Sequence, residues 1–256
     1  MTAAASDVLL DARGLSRARG AGGVRGITLS LARGDVLGLL GLNGAGKSTT
    51  LRLLAGVLSP DAGSVTVAGR SMSEEPLEAR ARLGYLPDVP PLYPDLRVEA
   101  FLRLAARLRR LEGGAVRDAV ARVIERCDLG EVARRRIATL SKGYRQRVGL
   151  AQALVHDPDV LLLDEPGSGL DPRQTEGLRQ LVAEVGREHC VVFSTHLLHE
   201  ARSVCNRIAV VHGGSLLTER AADGEELDAL FADLARGAPG GTSAAGSGPA
   251  SGETLR

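Results

Sequence analysis

The chain has 256 residues, of which 44% are hydrophobic, enough for one large domain or for one domain with a smaller insertion. Its formal net charge of +1 and its aromatic content of 2% argue against a protein that binds nucleic acid through a basic field or by base stacking. No apolar run approaches the roughly 18 residues of a membrane span, and residues 1–6 lack the apolar core of a signal peptide.

The first part of the chain predicts strands that lead towards a glycine-rich loop. Alternating apolar residues predict strands at Val8–Ala12 and Ile27–Leu31, with a turn-rich loop over residues 17–23 between them. The continuous apolar run Val36–Leu40 predicts a buried strand, and the leucine spacing over residues 50–57 predicts a helix. The glycine-rich segment at residues 41–49 is therefore expected to connect a buried strand to a helix.

That segment reads Gly41-Leu42-Asn43-Gly44-Ala45-Gly46-Lys47-Ser48-Thr49 and has the spacing of a phosphate-binding loop. Glycines let successive backbone N–H groups point at one anion, and the helix that follows adds free N–H groups and a positive dipole end. Lys47 is expected to reach the terminal phosphates, Ser48 to bind Mg²⁺ and Thr49 to contact another phosphate oxygen. A flexible glycine turn is the alternative, which the flanking strand and helix disfavour.

The middle of the chain predicts an inserted helical subdomain over about residues 88–150. A strand stops at Pro87 and is followed by a proline-rich loop. Helical spacing then runs over residues 98–111 and again over 116–127, with arginines on the other face, as is typical of a solvated helix surface. A third helix is expected to start next to Ser141.

Polar side chains follow two apolar strands in the second half of the chain. Asp164 and Glu165 follow residues 160–163, and His196 follows residues 190–193. The ends of such strands meet at one edge of a parallel sheet, close to the phosphate loop. We expect Asp164 to help hold Mg²⁺, Glu165 to polarise the attacking water, and His196 to contact the γ-phosphate or orient that water. The alternatives are an acidic turn and a structural histidine.

The remaining pattern completes an α/β order. Helices are expected over residues 173–187 and 199–204, a strand over 207–212 and a last helix over 225–234. From residue 236 to 256 the composition is dominated by Gly, Ala, Ser, Pro and Thr, which predicts a disordered tail.

Several of these segments together resemble the nucleotide-binding subunits of ABC transporters, in order and spacing, over about residues 8–215. They are the phosphate loop at 41–49, Leu140-Ser141-Lys142-Gly143, Leu162-Leu163-Asp164-Glu165-Pro166, Ser168-Gly169-Leu170-Asp171 and Ser194-Thr195-His196. The Leu-Ser-x-Gly segment separates this family from other phosphate-loop ATPases. Lys142, Tyr144 and residues 145–147 resemble subunits that pair with separate export-type permeases.

The resemblance implies an α/β fold: a P-loop NTPase sheet core, an N-terminal antiparallel β region and the helical subdomain, in one nucleotide-binding domain over residues 6–235. It implies an ATPase that uses Mg²⁺ and closes head to tail as a dimer, expected to be a homodimer. Each ATP would lie between the phosphate loop of one chain and Ser141 and Gly143 of the other, with Asp171 acting across the interface.

The resemblance also implies a partner and a location. The loop after Tyr85 and the helical insert would grip a cytoplasmic helix of an integral membrane permease. The subunit would be peripheral, at the cytoplasmic face of the cell membrane, and would have no nucleic-acid partner.

Three positions depart from the family pattern. Arg19 falls where an aromatic residue usually stacks on adenine, although a guanidinium can also stack on a base. Asp88 takes the place of the usual Gln or Glu and is expected to contact Mg²⁺ and water, and Gly167 replaces a usual Thr. Arg19 and Asp88 leave open a regulatory ATP-binding partner with weak hydrolysis. A soluble ABC-type ATPase that acts on ribosomes or DNA is a separate alternative.

Overall fold

The computed structural model describes residues 8–19, 22–224 and 226–236 of the chain. The chain divides into two compact units, one up to Gly224 and one beyond it. The described part of the second unit is a single helix. The domain limits at residues 6–235 and the subdomain limits at about 88–150 remain predictions. The expected disordered tail, apart from Arg236, lies outside the described residues.

The elements alternate between strands and helices in the way that the sequence pattern predicts. The strands are β1 (Val8–Arg19), β2 (Gly22–Ala32), β3 (Val36–Leu40), β4 (Ala62–Val67), β5 (Arg70–Ser71), β6 (Leu83–Leu86), β7 (Val160–Asp164), β8 (Cys190–Thr195), β9 (Arg207–His212) and β10 (Ser215–Ala221). The helices are α1 (Lys47–Leu54), α2 (Pro76–Ala81), α3 (Val98–Leu108), α4 (Gly113–Arg126), α5 (Lys142–Leu154), α6 (Pro172–Val185), α7 (Leu198–Val204) and α8 (Glu226–Ala235). The sequence pattern did not predict β5, α2 or β10.

An antiparallel sheet forms the N-terminal region, with the strand order β2-β1-β4-β5. The turn-rich loop expected over residues 17–23 was wrong, because β1 and β2 continue as a hairpin through the pairs Arg17–Val24 and Arg19–Gly22. The Asp61 carboxylate accepts a hydrogen bond from the Ala18 amide at 2.8 Å and so supports the extended strand. Cross-strand pairing has overridden the local turn preference of arginine and glycine.

A six-stranded mixed sheet forms the centre of the first unit, with the strand order β10-β9-β3-β8-β7-β6. Only β10 runs antiparallel to its neighbour, and every residue of β3, β7 and β8 is buried. Strands buried on both faces are expected to be continuously apolar, and these are apolar up to the polar residues at their carboxyl ends, Asp164 of β7 and Ser194 and Thr195 of β8. Because β8 lies between β3 and β7, the carboxyl ends of all three meet beside the glycine loop.

The helical insertion packs α3 against α4 through an apolar stripe on each helix. The buried residues on α3 are Val98, Phe101, Leu102, Ala105 and Ala106, and those on α4 are Val116, Ala119, Val120 and Val123. Two short 3-10 turns, Gly130–Val132 and Ile137–Thr139, then bring the chain to the start of α5.

Candidate active site

The loop between β3 and α1 requires glycine at three positions. Gly44 and Gly46 have φ angles of +81° and +110°, a region that disfavours residues with a β-carbon. A β-carbon at Gly41 would collide with the backbone carbonyl of Val211 on β9. Gly46 caps α1 without any side-chain hydrogen bond, so the first N–H groups of this helix stay free for an anion.

Lys47 is buried at the start of α1 and is held inside the loop. Its Nζ donates to the carbonyl oxygens of Gly41 at 2.8 Å and Leu42 at 3.4 Å. It also lies 3.1 Å from Oε1 of Glu165. The ammonium group is thus fixed between the glycine loop and the end of β7, where it can meet a phosphate as a point charge.

Asp164 ends β7 and connects the loop to two neighbouring hydroxyl groups. Its Oδ1 accepts hydrogen bonds from Ser48 Oγ at 2.9 Å and from Ser194 Oγ at 2.8 Å. Its Oδ2 is buried and has no hydrogen-bond partner among the described residues. Burial raises the pKa of Asp164, and Asp88 adds to that increase, while the bonds from Ser194 and Ser48 oppose it.

This arrangement suits Mg²⁺, which binds proteins through one or two carboxylates and completes its octahedral shell with water and substrate phosphates. The free Oδ2 of Asp164 and the hydroxyl of Ser48 supply hard oxygen ligands. Among the described residues, no group of three or more His, Cys, Asp or Glu side chains is placed to hold a metal ion by itself. Ser48, Asp164 and Asp88 are the residues that would hold it.

Glu165 follows Asp164 and lies between a cation and an imidazole. Its Oε2 is 2.9 Å from Nδ1 of His196, and its Oε1 faces Lys47. Its φ angle is +45°, a left-handed conformation that is strained for a residue with a side chain. The hydroxyl of Ser194 accepts a hydrogen bond from the Glu165 amide at 2.9 Å and helps to hold this conformation.

These groups line one open cleft of about 680 Å³. Its walls bring together the phosphate loop, Asp88 two residues after β6, and residues that follow β7 and β8. The lining residues are Gly23, Asn43, Gly44, Ala45, Gly46, Lys47, Ser48, Thr49, Arg52, Asp88, Glu165, Ser168 and His196.

Six residues expected at the site are not part of this lining. Gly41, Leu42 and Asp164 lie directly behind it, because the first two accept hydrogen bonds from Lys47 and the third accepts one from Ser48. The other three, Ser141, Gly143 and Asp171, have no such bond to the lining among the described residues. Ser141 caps α5 and accepts a hydrogen bond from the Tyr144 amide at 3.4 Å. Asp171 caps α6 by accepting from the Gln174 amide at 2.9 Å. Gly143 lies against the Gln174 side chain, with which a β-carbon would collide. Within one chain, these residues form a separate cluster.

Sequence reasoning missed four residues of the cleft network: Gly23, Arg52, Ser168 and Ser194. Ser194 bonds both Asp164 and the Glu165 amide, and its place at the end of an apolar strand was an available signal. Arg52 lines the cleft one helical turn after Ser48, and Ser168 lines it after the acidic pair. The side chain of Arg19, expected near adenine, lies outside the described part of the structure.

Comparison with known proteins matches residues 24–168 to the family described as ABC transporter. The chain belongs to this family, and it carries the family's ATPase domain. One relative, an uncharacterized ABC transporter ATP-binding protein YxlF of Bacillus subtilis, is 38% identical over 193 residues, 75% of this chain and 64% of its own. Another, a Nod factor export ATP-binding protein I of Paraburkholderia xenovorans, is 39% identical over 77% of this chain and 66% of its own. The chain thus spans just under two thirds of the length of these relatives.

Solved structures of this family confirm the expected fold class. An ATP-binding subunit of an ABC transporter superposes with a TM-score of 0.79 at 29% identity, over 89% of this chain and 99% of its own. The cbiO1 protein of Clostridium perfringens, described as part of the ABC transporter complex cbiONQ, superposes with a TM-score of 0.76 at 26% identity, over 87% of this chain and 91% of its own. In the described part of the chain, no helix has the length and apolar character to cross a membrane.

Proposed function

We propose that the chain binds ATP with Mg²⁺ as a head-to-tail dimer and hydrolyses it to power transport through a separate membrane permease. The observation that carries the proposal is the division of the site residues into two clusters. Lys47 and Glu165 line the cleft and Asp164 lies directly behind it, bonded to Ser48, whereas Ser141 and Gly143 lie outside this network. A second copy in the opposite orientation supplies the missing cluster to each cleft.

The cleft residues have distinct tasks towards ATP. The loop amides and the N-terminus of α1 bind the phosphates, and Lys47 reaches the terminal ones. Ser48, Asp164 and Asp88 would hold Mg²⁺, which would neutralise charge on the phosphoryl oxygens. Lys47 exchanges its contact with Glu165 for the incoming phosphate, which leaves the carboxylate free to accept a hydrogen bond from water.

Hydrolysis then depends on Glu165 and His196. Glu165 orients the attacking water and accepts its proton, because its carboxylate stands at the edge of the cleft beside the phosphate loop. His196 holds that carboxylate through Nδ1 at 2.9 Å, and its other nitrogen is available to the γ-phosphate. From the opposite chain, Ser141 and the N-terminus of α5 bind the same phosphate, and Asp171 acts across the interface.

Mixing two inactive variants tests the shared site. Lys47→Ala removes the phosphate contact, and Ser141→Arg blocks the opposite cluster. A mixed dimer regains one intact site, so an equal mixture should recover about a quarter of wild-type turnover, measured as phosphate release. Each variant alone, or Lys47→Ala mixed with the inactive variant Glu165→Gln, serves as a control. A mixture as inactive as its parents contradicts the head-to-tail arrangement.

A second groove supports the permease partner. It has a volume of about 830 Å³ and lies between the ends of α1, α2 and β6 and the helical insertion. Its lining includes three exposed apolar residues, Val57, Leu77 and Leu108, and it reaches Tyr85 and Pro87. An apolar groove of this kind suits an amphipathic helix. The names of the relatives, which refer to export and to a transporter complex, favour the same partner class.

Recovery of the tagged chain from gently solubilised native membranes tests the partner and the location. We expect an integral membrane permease to return with the chain and to raise its ATP turnover, as for a peripheral subunit at the cytoplasmic face. A Leu77→Asp change in the groove should weaken that recovery while the turnover of the isolated chain is unchanged. Recovery of ribosomes or DNA instead would overturn the transport role.

A further inference from the structure

The helical insertion is more basic than the chain as a whole. Residues 97–136 contain eleven arginines and six acidic residues, a net charge of +5, whereas the whole chain has +1. A solvated helix face would explain arginines at scattered positions. Here several arginines recur at helical spacing on one face. On the exposed face of α3, Arg103 and Leu104 are followed one turn later by Arg107 and Leu108.

Four of these arginines surround a cleft of about 580 Å³ where α3 turns into α4. The arginine cleft is lined by Arg103, Arg107, Arg110 and Arg117, with Glu112 as its only acidic lining residue among the described ones. Arg103 pairs with Glu99 on its own helix and Arg117 with its neighbour Asp118, both in exposed positions. Arg107 and Arg110 form no ion pair with any described residue, so their guanidinium groups remain open to an anion.

Arg110 occupies a backbone position that normally selects glycine. Its φ angle is +65°. Its amide donates to the Arg107 carbonyl at 2.9 Å, and the Leu111 amide donates to the Ala106 carbonyl at 3.1 Å, the two bonds of a Schellman motif. Glycine is the usual residue at this left-handed position, because a β-carbon is strained there. A strained arginine at the rim of a basic cleft points to a role for its side chain.

Exposed leucines accompany the arginines and identify the type of anion. Leu104 is 37% exposed and Leu108 is 72% exposed. Together with Arg103 and Arg107 they form the exposed face of α3, here called the ridge. Arginines beside exposed leucines on one helix face are typical of a surface that rests on an anionic membrane interface. A soluble anion such as free phosphate would need the guanidinium groups but would gain nothing from exposed leucines.

The position of the arginine cleft agrees with such a surface. Arg110 lines both the arginine cleft and the groove assigned to the permease, and Leu108 lines that groove, so the two features adjoin each other at the end of α3. Arg109, between them in sequence, donates to the carbonyls of Arg80 at 2.6 Å and Leu83 at 3.2 Å and ties the ridge to the region of the sheet. A permease helix in the groove would therefore bring the ridge close to the lipid headgroups that surround the permease.

We propose that the arginine cleft binds the phosphate headgroups of anionic phospholipids, with Arg107 and Arg110 as the principal contacts. The guanidinium groups bind the phosphates, and Leu104 and Leu108 enter the interfacial region. The orientation towards the membrane rests on the proposed function, whereas the lipid contact itself needs only this chain.

Flotation of the purified full chain with vesicles, without permease or nucleotide, tests the contact. The vesicles contain roughly one third phosphatidylglycerol in phosphatidylcholine, and pure phosphatidylcholine vesicles serve for comparison. The test variant combines Arg107→Gln with Arg110→Gly. We expect its apparent affinity for the anionic vesicles to fall about 30-fold, since each arginine near a membrane surface contributes about a fivefold gain. The glycine should leave the thermal unfolding midpoint at or above that of the wild type, because it relieves the strain at residue 110.

A matched control separates this site from a general charge effect. Arg13→Gln with Arg187→Gln removes the same net charge from exposed positions outside the cleft, and it should bind the vesicles like the wild type. Equal binding by test and control variants, or no preference for the anionic vesicles, would overturn the proposal. The proposal would also be overturned if the test variant bound vesicles normally but no longer recovered the permease. That result would mean that the arginine cleft contacts the permease and not lipid. Turnover measured on the same samples reports on the proposed function separately, since a chain without ATPase activity can still bind lipid.

Discussion

The phosphate-loop cleft and the cluster around Ser141 satisfy their polar groups in opposite ways. In the cleft, charged side chains contact one another: Lys47 lies 3.1 Å from Glu165, and Glu165 lies 2.9 Å from His196. In the Ser141 cluster, the polar side chains cap the helices α5 and α6 that carry them. The cleft therefore contains charged groups that can take part in a reaction, whereas the second cluster consists of two helix N-termini that can bind an anion.

This difference explains why neither region suffices for the proposed reaction. Buried charges are retained only where they are paired, and substrate must replace part of that pairing in the cleft. A helix N-terminus offers free amides and a positive dipole end to an anion but no group that activates water. The two regions complement each other only when two chains face each other.

The largest expected effect is a loss of turnover from a substitution that removes the catalytic base of the cleft and leaves the Ser141 cluster unchanged. Glu165→Gln keeps the shape of the side chain and removes the base, so turnover should fall about 10²- to 10⁴-fold while ATP binding is retained. The variant should accumulate as an ATP-bound dimer, because the Ser141 cluster is intact. Phosphate release and size-exclusion chromatography with ATP measure the two effects. Turnover within about threefold of the wild type would remove Glu165 from the catalytic role.

A second prediction concerns the far end of the helix that begins at the Ser141 cluster. His156 follows α5 and contacts the Leu83 carbonyl at 3.2 Å, and burial lowers its pKa to about 4. The unfolded chain takes up a proton near pH 6.5 and the folded chain does not, so stability should fall as pH drops through this range. The loss attributable to His156 should be about 2–3 kcal/mol at about pH 4.5.

Urea unfolding at neutral and acidic pH checks this prediction. His156→Leu removes the titrating group, so the variant should lose less stability on acidification than the wild type does. Equal losses in the two proteins would show that His156 is protonated as easily in the folded state as in the unfolded state. The test measures how His156 at the end of α5 affects stability, without changing Ser141 at the start of the same helix.

The third prediction compares one glycine from each region. Gly41→Ala directs a methyl group at the Val211 backbone carbonyl and should cost about 1–3 kcal/mol of unfolding free energy. Gly143→Ala meets the Gln174 side chain, which can move, and alanine favours the helix by about 0.5–1 kcal/mol. Its stability should therefore change little, although turnover should fall if this surface faces ATP in the dimer. Chemical denaturation of both variants measures the contrast, and equal losses would contradict it.

The smallest expected effect separates the capping role of Asp171 from its role at the interface. Asp171→Ala should cost about 1 kcal/mol because the cap of α6 is lost, whereas Asp171→Asn keeps the cap and nearly all of the stability. If the negative charge acts across the dimer interface, both variants should lose turnover. A fully active Asp171→Asn would reduce Asp171 to a structural cap. Denaturation and phosphate release on the same samples decide between the two roles.

Much of the fold and of the candidate site could be predicted because the relevant signals lie within short stretches of sequence. The β3–loop–α1 unit depends on local glycine geometry, and the positions of Asp164, Glu165 and His196 follow from the ends of two apolar strands. The family resemblance and the α/β class are confirmed. The roles of the individual site residues remain predictions. These predictions depend on local features, namely the glycine loop and the ends of apolar strands, which short stretches of sequence specify.

The tertiary structure alone decided the relations between distant segments. The insertion of β8 between β3 and β7 brought Ser194 to both Asp164 and Glu165, and hairpin pairing turned an expected loop into the continuation of β1 and β2. The arginine cleft was equally invisible in the sequence. Local propensity and spacing determine single elements and their ends, whereas strand order and cleft formation depend on long-range pairing and packing, which no window of sequence contains.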